Sequence, residues 1–117
     1  MKNQSFGARL GFALNGISCA LRSENSFRIQ LVAACGALAV LIWQRPPPLW
    51  WAIIALTVMS VLAAELFNTA LEHLVDHLHP DQHPRIKIVK DCAAGAVLLL
   101  SVGALCVAAA FLWQVMR

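Results

Sequence analysis

Charge is scarce in this chain. Asp, Glu, Lys and Arg make up 13% of its residues, about half the ~25% usual in soluble domains. A disordered segment or a nucleic-acid-binding domain needs far more charge than this. The net charge of +3, from nine basic and six acidic residues, is too small an excess for a polyanion binder. Cysteine pairing motifs are also missing. Cys19, Cys35, Cys92 and Cys106 show no CxxC spacing, so they read as small buried thiols rather than a disulfide or zinc framework. There is no G-x-x-x-x-G-K-[ST] loop, which excludes a P-loop nucleotide fold. Nor does a compact apolar stretch with a small-residue cleavage site open the chain, so no signal peptide is expected.

What remains is apolar. The hydrophobic fraction is 60% and the mean hydropathy +0.70. A chain of 117 residues cannot hide that much apolar surface from water in one core. The solvent that fits is the bilayer.

Windows without charge define the organisation of a single domain over 1–117. Ile29 to Gln44 gives 16 such residues and Pro46 to Ala64 gives 19. The third window runs from Cys92 to Met116, with Ser101 and Gln114 as its polar interruptions. A spanning helix needs ~20 mainly apolar residues. The spacing therefore predicts spans over about 27–44, 49–77 and 88–114, the first reaching full length if Arg28 snorkels and Phe27 joins it. Pro46, Pro47 and Pro48 make the turn between the first two. Trp43, Trp50, Trp51 and Trp113 sit where aromatic belts belong. Ahead of the spans, over about 3–22, Phe6, Leu10, Ala13, Leu14, Ile17 and Leu21 share one helical stripe. Arg9, Asn15, Ser18 and Arg22 lie off it, the pattern of an amphipathic helix in the membrane interface. The expected fold class is an all-α membrane protein with three transmembrane helices plus this surface helix.

Orientation follows from basic residues. Lys2, Arg9, Arg22, Arg28, Arg85, Lys87 and Lys90 fall on one side of a three-span chain, Arg45 and Arg117 on the other. The N-terminus and the His77–Lys90 loop are then cytoplasmic. All six acidic residues gather at that same face.

The most specific chemistry lies in Glu65-Leu-Phe-Asn68-Thr69-Ala-Leu-Glu72-His-Leu-Val-Asp76. Glu65, Asn68, Glu72 and Asp76 are spaced 3, 4 and 4, which puts them on one helical face. Glu65 ends an apolar run. An ionisable residue below the headgroups costs ~3 kcal/mol or more and is a functional-site hypothesis by default. Aligned carboxylates repel, and need a cation, a proton or a basic partner. Mg²⁺, which favours carboxylate oxygens together with substrate phosphates, suits them. Lys87, Lys90 and Asp91 open the third span at the depth where the stripe ends. Lysines facing carboxylates there suit a polyphosphate. A chain this small cannot readily enclose such a site, and homo-oligomerisation is the natural remedy.

These residues carry a resemblance. Glu65-x-x-Asn68-Thr69-Ala-x-Glu72, then Val75-Asp76, then Lys90-Asp91-Cys-Ala-Ala-Gly95-Ala-Val-Leu resembles the prokaryotic diacylglycerol kinase family, which includes undecaprenol kinases. Glu24-Asn-Ser-Phe27-Arg28 is similar to the stretch before that family's first span. The resemblance implies a homotrimer in the bacterial cytoplasmic membrane. It implies ATP- and Mg²⁺-dependent phosphorylation of a membrane lipid alcohol, diacylglycerol first and undecaprenol as the alternative. By position it makes Glu65 the catalytic base and Asn68 an active-site partner. Glu24 and Glu72 become the Mg²⁺ and nucleotide carboxylates. Asp81, His83, Lys90 and Asp91 become nucleotide contacts, and Phe27, Arg28 and Glu65 the lipid-substrate residues. Phe12 stands where some members have tyrosine, and no site residue is assigned before Glu24. Nucleic acid is not an expected partner. Two other classes compete. A metal-ion transporter would use His73, His77, His79 and His83, though His73 and His77 project away from Glu65 on the helical wheel. A non-catalytic membrane subunit would leave a sunken Glu65 without a reason.

Overall fold

The computed structural model describes residues 3–117; Lys2, counted above among the basic residues, lies outside the described residues. Four helices follow in order: α1 Phe6–Ser23, α2 Asn25–Gln44, α3 Pro48–Leu78 and α4 Pro84–Met116. No strand occurs among the described residues.

α1 starts because Ser5 caps it, its hydroxyl accepting from the Ala8 N–H at 3.2 Å. It stops at Ser23. The Ser23 hydroxyl donates back to the Cys19 carbonyl at 2.8 Å, a local bond that competes with helix propagation. Glu24 is extended, with φ −113° and ψ 111°, and α2 begins at the next residue. The elbow between the two helices is thus one residue long. Arg28 stabilises it, donating from Nη1 to the carbonyls of Leu21 at 3.1 Å and Arg22 at 2.9 Å. A cation on the orphan carbonyls of a helix end is favourable. The guanidinium therefore turns back onto the end of α1.

The 20 residues of α2 make a rod of about 30 Å, the thickness of a bilayer's hydrocarbon core. Arg45 closes it in the left-handed region, at φ 49° and ψ 56°, with its N–H donating to the Leu41 carbonyl at 2.8 Å. A residue before proline is disfavoured in the right-handed helical region, so Pro46 ends the helix there. Pro48 opens α3 at its first position, where its missing N–H costs nothing.

α3 runs for 31 residues without interruption, about 46 Å. Thr57 is accommodated inside it by donating its hydroxyl to the Ile53 carbonyl at 2.7 Å. α4, with 33 residues, is about 50 Å long. It is capped by His83, whose Nδ1 accepts from the Arg85 N–H at 3.1 Å.

α3 and α4 form an antiparallel hairpin, and this is the principal packing of the fold. One end is joined by Trp50 against Phe111, edge to face with ring centroids 5.3 Å apart. At the other end Lys90 meets Asp76. α2 lies against α3, and α1 touches both α2 and α3. Few apolar side chains are buried: Ala20, Phe27, Leu41, Val61 and Phe111. Ile29, Val32, Leu56, Met59, Leu98, Leu99 and Leu105 point outward. Such a surface would associate in water but is ordinary in lipid. α2, α3 and α4 are each long and apolar enough to cross a membrane. The architecture is the all-α, three-span one expected from the sequence.

Candidate active site

Glu65 lies 17 residues beyond Pro48 on α3, about 26 Å along the axis. In a ~30 Å hydrocarbon core that is near the edge opposite the proline turn. Its side chain is buried, at 6% exposure, the one buried charged residue among those described. Gln30 of α2 is near this carboxyl group. Glu24 from the elbow and Glu72 from the next turns of α3 are close enough to act on its charge. The carboxylates of the elbow and of α3 thus share one region of the molecule, without closing into a three-ligand group. The spacing of 65 and 72 explains two of them, since side chains seven residues apart share a helical face.

Glu24 has a partner that helix spacing did not reveal. His73 Nε2 stands 3.6 Å from Glu24 Oε1. His73 projects away from Glu65 on the α3 wheel, and that direction takes it towards the elbow. Gln30 was likewise not singled out, although it is the one polar side chain between Ile29 and Trp43 apart from the cysteine. That isolation was its available signal.

Asn68 is turned partly towards α4. Its Nδ2 donates to Glu72 Oε1 at 3.4 Å, while its Oδ1 is buried without a hydrogen-bond partner. It lines a shallow groove of about 430 Å³ with Ser60, Ala63, Ala93 and Ala96. An orphan acceptor at the membrane edge is costly unless something donates to it. Asn68 therefore holds Glu72 through Nδ2 while its Oδ1 stays buried and unpaired.

The remaining polar residues form a second centre at the loop between α3 and α4. Asp76, Asp81, His83, Lys87 and Lys90 line a pocket of about 560 Å³ between the ends of α3 and α4. Lys90 Nζ donates to Asp76 Oδ1 at 2.6 Å, and Lys87 Nζ to Asp91 Oδ2 at 2.6 Å. Asp91 is thus held by the lysine one turn earlier. His79 Nδ1 approaches the Asp81 carbonyl at 3.3 Å, and the His79 and His83 rings lie 6.0 Å apart. Among the described residues no three His, Cys, Asp or Glu side chains are grouped to cage a metal. His83 serves as a helix cap.

Phe27 is buried and Arg28 is engaged with the end of α1, so both structure the elbow that carries Glu24. A second groove, about 500 Å³, runs between α2, α3 and α4 from Gln30 to Phe111. It is walled by small and aliphatic side chains such as Ala33, Ala37, Val58 and Ala104.

A buried carboxylate flanked by two others, with a lysine-bearing pocket on its aqueous side, suits proton transfer beside a bound polyanion. The sequence profile for "Prokaryotic diacylglycerol kinase" matches residues 11–112. An undecaprenol kinase of Bacillus subtilis (strain 168) is 38% identical over 87 residues, 74% of this chain and 71% of that protein. A diacylglycerol kinase of Synechocystis is 37% identical over 97 residues, 82% of this chain and 55% of that longer protein. The diacylglycerol kinase of Escherichia coli (strain K12) is 27% identical over 104 residues, 89% of this chain and 85% of that protein. The chain belongs to the prokaryotic diacylglycerol kinase family, and is a lipid kinase, a phosphotransferase with an alcohol acceptor.

Proposed function

We propose that this protein transfers the γ-phosphoryl group of ATP to the hydroxyl of diacylglycerol, giving phosphatidic acid at the cytoplasmic face of a bacterial inner membrane. The observation that carries this reading is the burial of Glu65 at the membrane edge, with Glu24 and Glu72 beside it. A lipid alcohol keeps its acyl chains in the bilayer and can present only its head to that depth. Glu65 accepts the hydroxyl proton as the acceptor oxygen attacks the γ-phosphorus and the bond from that phosphorus to the β–γ bridging oxygen breaks, releasing ADP. Asn68 holds Glu72 through its amide and keeps a free acceptor oxygen for the site.

The donor set fits Mg²⁺. Glu24 and Glu72 offer hard oxygens, and two protein carboxylates completed by phosphate oxygens and water are the usual way this ion is held. When bound, it neutralises charge on the nucleotide phosphates. His73 orients Glu24, and Arg28 fixes the elbow on which Glu24 sits. Lys90, Asp81 and His83 bind the nucleotide in the loop pocket, Lys90 by placing its ammonium at the rim, and Asp91, outside that lining and held by Lys87, binds it from the start of α4. Phe27, Arg28 and Glu65 border the lipid head.

The outward-facing apolar side chains and the orphan Asn68 oxygen support assembly as a homotrimer, in which a neighbouring subunit covers the open side of the site. The seven-to-two distribution of basic residues supports a cytoplasmic N-terminus. Undecaprenol is the second reading for the lipid. Its support is the 38% identity to the Bacillus subtilis undecaprenol kinase, which the 37% identity to the Synechocystis diacylglycerol kinase nearly equals. Radiolabelled ATP offered with each lipid alcohol separately decides between them. Label in phosphatidic acid supports the first reading, and label in undecaprenyl phosphate alone replaces it with the second. Label in neither overturns both.

A further inference from the structure

Asp76 has no part in the phosphoryl transfer described above, yet it makes one of the shortest polar contacts in the molecule. Its Oδ1 lies 2.6 Å from Lys90 Nζ, and the pair ties the last turns of α3 to the start of α4 across 14 residues of chain. Lys90 has little choice of acid. Asp91, the next residue, is occupied by Lys87 at 2.6 Å. Both Asp76 and Lys90 line the loop pocket with Asp81 and His83.

The pair is too open to hold the fold together. The Asp76 side chain is 62% exposed and that of Lys90 37%, and exposed ion pairs stabilise little. Its effect is on orientation. A lysine ends a flexible four-carbon stem with high rotamer entropy. One carboxylate accepting one of its three N–H donors fixes the ammonium and leaves two donors for another anion.

We propose that Asp76 is a positioning residue for the nucleotide: it holds the Lys90 ammonium at the rim of the loop pocket, so that an incoming polyphosphate meets a lysine already in place. This rests on the nucleotide reading of that pocket. The opposite sign is physically possible, because a carboxylate also repels phosphate. The two effects predict opposite responses, which makes the inference testable.

The test titrates the detergent-solubilised protein with the Mg²⁺ complex of adenylyl imidodiphosphate, without lipid substrate, by calorimetry. Asp76→Ala should weaken binding about two- to fivefold, the range of an exposed pair. Asp76→Asn, which keeps an acceptor oxygen but no charge, should recover part of the loss. In a Lys90→Ala background Asp76→Ala should have no further effect, since Asp76 acts through Lys90. In turnover assays the loss should appear in KM for ATP, with kcat kept. Unchanged or tighter binding in Asp76→Ala overturns the inference, as does an equal loss with and without Lys90. If the unmodified protein binds no nucleotide analogue, or Lys90→Ala binds it as tightly, the nucleotide reading of the pocket falls first and this inference with it.

Discussion

His73 Nε2 on α3 stands 3.6 Å from Glu24 Oε1 in the elbow between α1 and α2. One imidazole thereby links the end of α1 to the helix that carries Glu65 and Glu72. The contact is long and its partners are partly exposed, so it contributes little to stability. Its value lies in where it leaves the Glu24 carboxylate. His73→Ala is expected to raise the Mg²⁺ concentration needed for half-maximal turnover by less than about fivefold, with kcat at saturating Mg²⁺ nearly kept. His73→Gln, which retains an N–H donor, should shift it less. An unchanged Mg²⁺ titration in His73→Ala would show that Glu24 needs no such support.

Glu65→Gln should abolish lipid phosphorylation, by at least the ~10²-fold that a general base contributes. Glutamine keeps the shape and cannot take a proton. The same change removes an ionisable group from a buried place, so thermal stability in detergent should rise or hold. Turnover of the variant near that of the unmodified protein takes the base role away from Glu65.

Glu24→Ala and Glu72→Ala each remove one hard oxygen from a site with few protein ligands. Both should raise the Mg²⁺ requirement by more than His73→Ala does. Glu72→Ala should also release the Asn68 amide, which it holds at 3.4 Å. A Mg²⁺ titration that does not move at saturating lipid excludes the altered residue as a metal ligand.

The proposed function requires Glu24, Glu72, Lys90 and Asp91 on the side where ATP is found. In a background without the four native cysteines, a cysteine at Pro47 should label with an impermeant thiol reagent in intact cells. One at Gln82 should label only after permeabilisation. The reverse pattern would put the carboxylates on the face without ATP and end the kinase reading.

Much of this was legible in the sequence. Charge-free windows announce spans because lipid tolerates few charges, and α2, α3 and α4 fall on the three windows. Glu65 and Glu72 were legible because residues on one helix keep a fixed angular relation. Gln30 and His73 were not, because their roles depend on how α2 and the elbow sit against α3. A wheel drawn for one helix carries no information about its neighbour. Arg28 shows the same limit: sequence placed it at a membrane edge, and packing gave its guanidinium the carbonyls of Leu21 and Arg22. The end of α2 at Arg45 follows from Pro46, but the positive φ of Arg45, unusual for a residue with a Cβ, is not written in the residue type.

α3 is a ruler. It carries the proline turn at one end and the acid group at the other on a single unbroken rod of 31 residues. Depth in the bilayer and direction around the axis are therefore both set by counting residues. One residue inserted between Trp51 and Ala64 would push Glu65 about 1.5 Å further and swing it by about 100°. Glu65, Asn68 and Glu72 would leave Gln30 and Glu24 together, as a set. Seven inserted residues would restore the direction and leave the carboxylate about 10 Å beyond its depth. Neither change can be absorbed by a hinge, since α3 has none between Trp51 and Glu65. The length of the apolar half of α3 thus sets where the buried carboxylate stands.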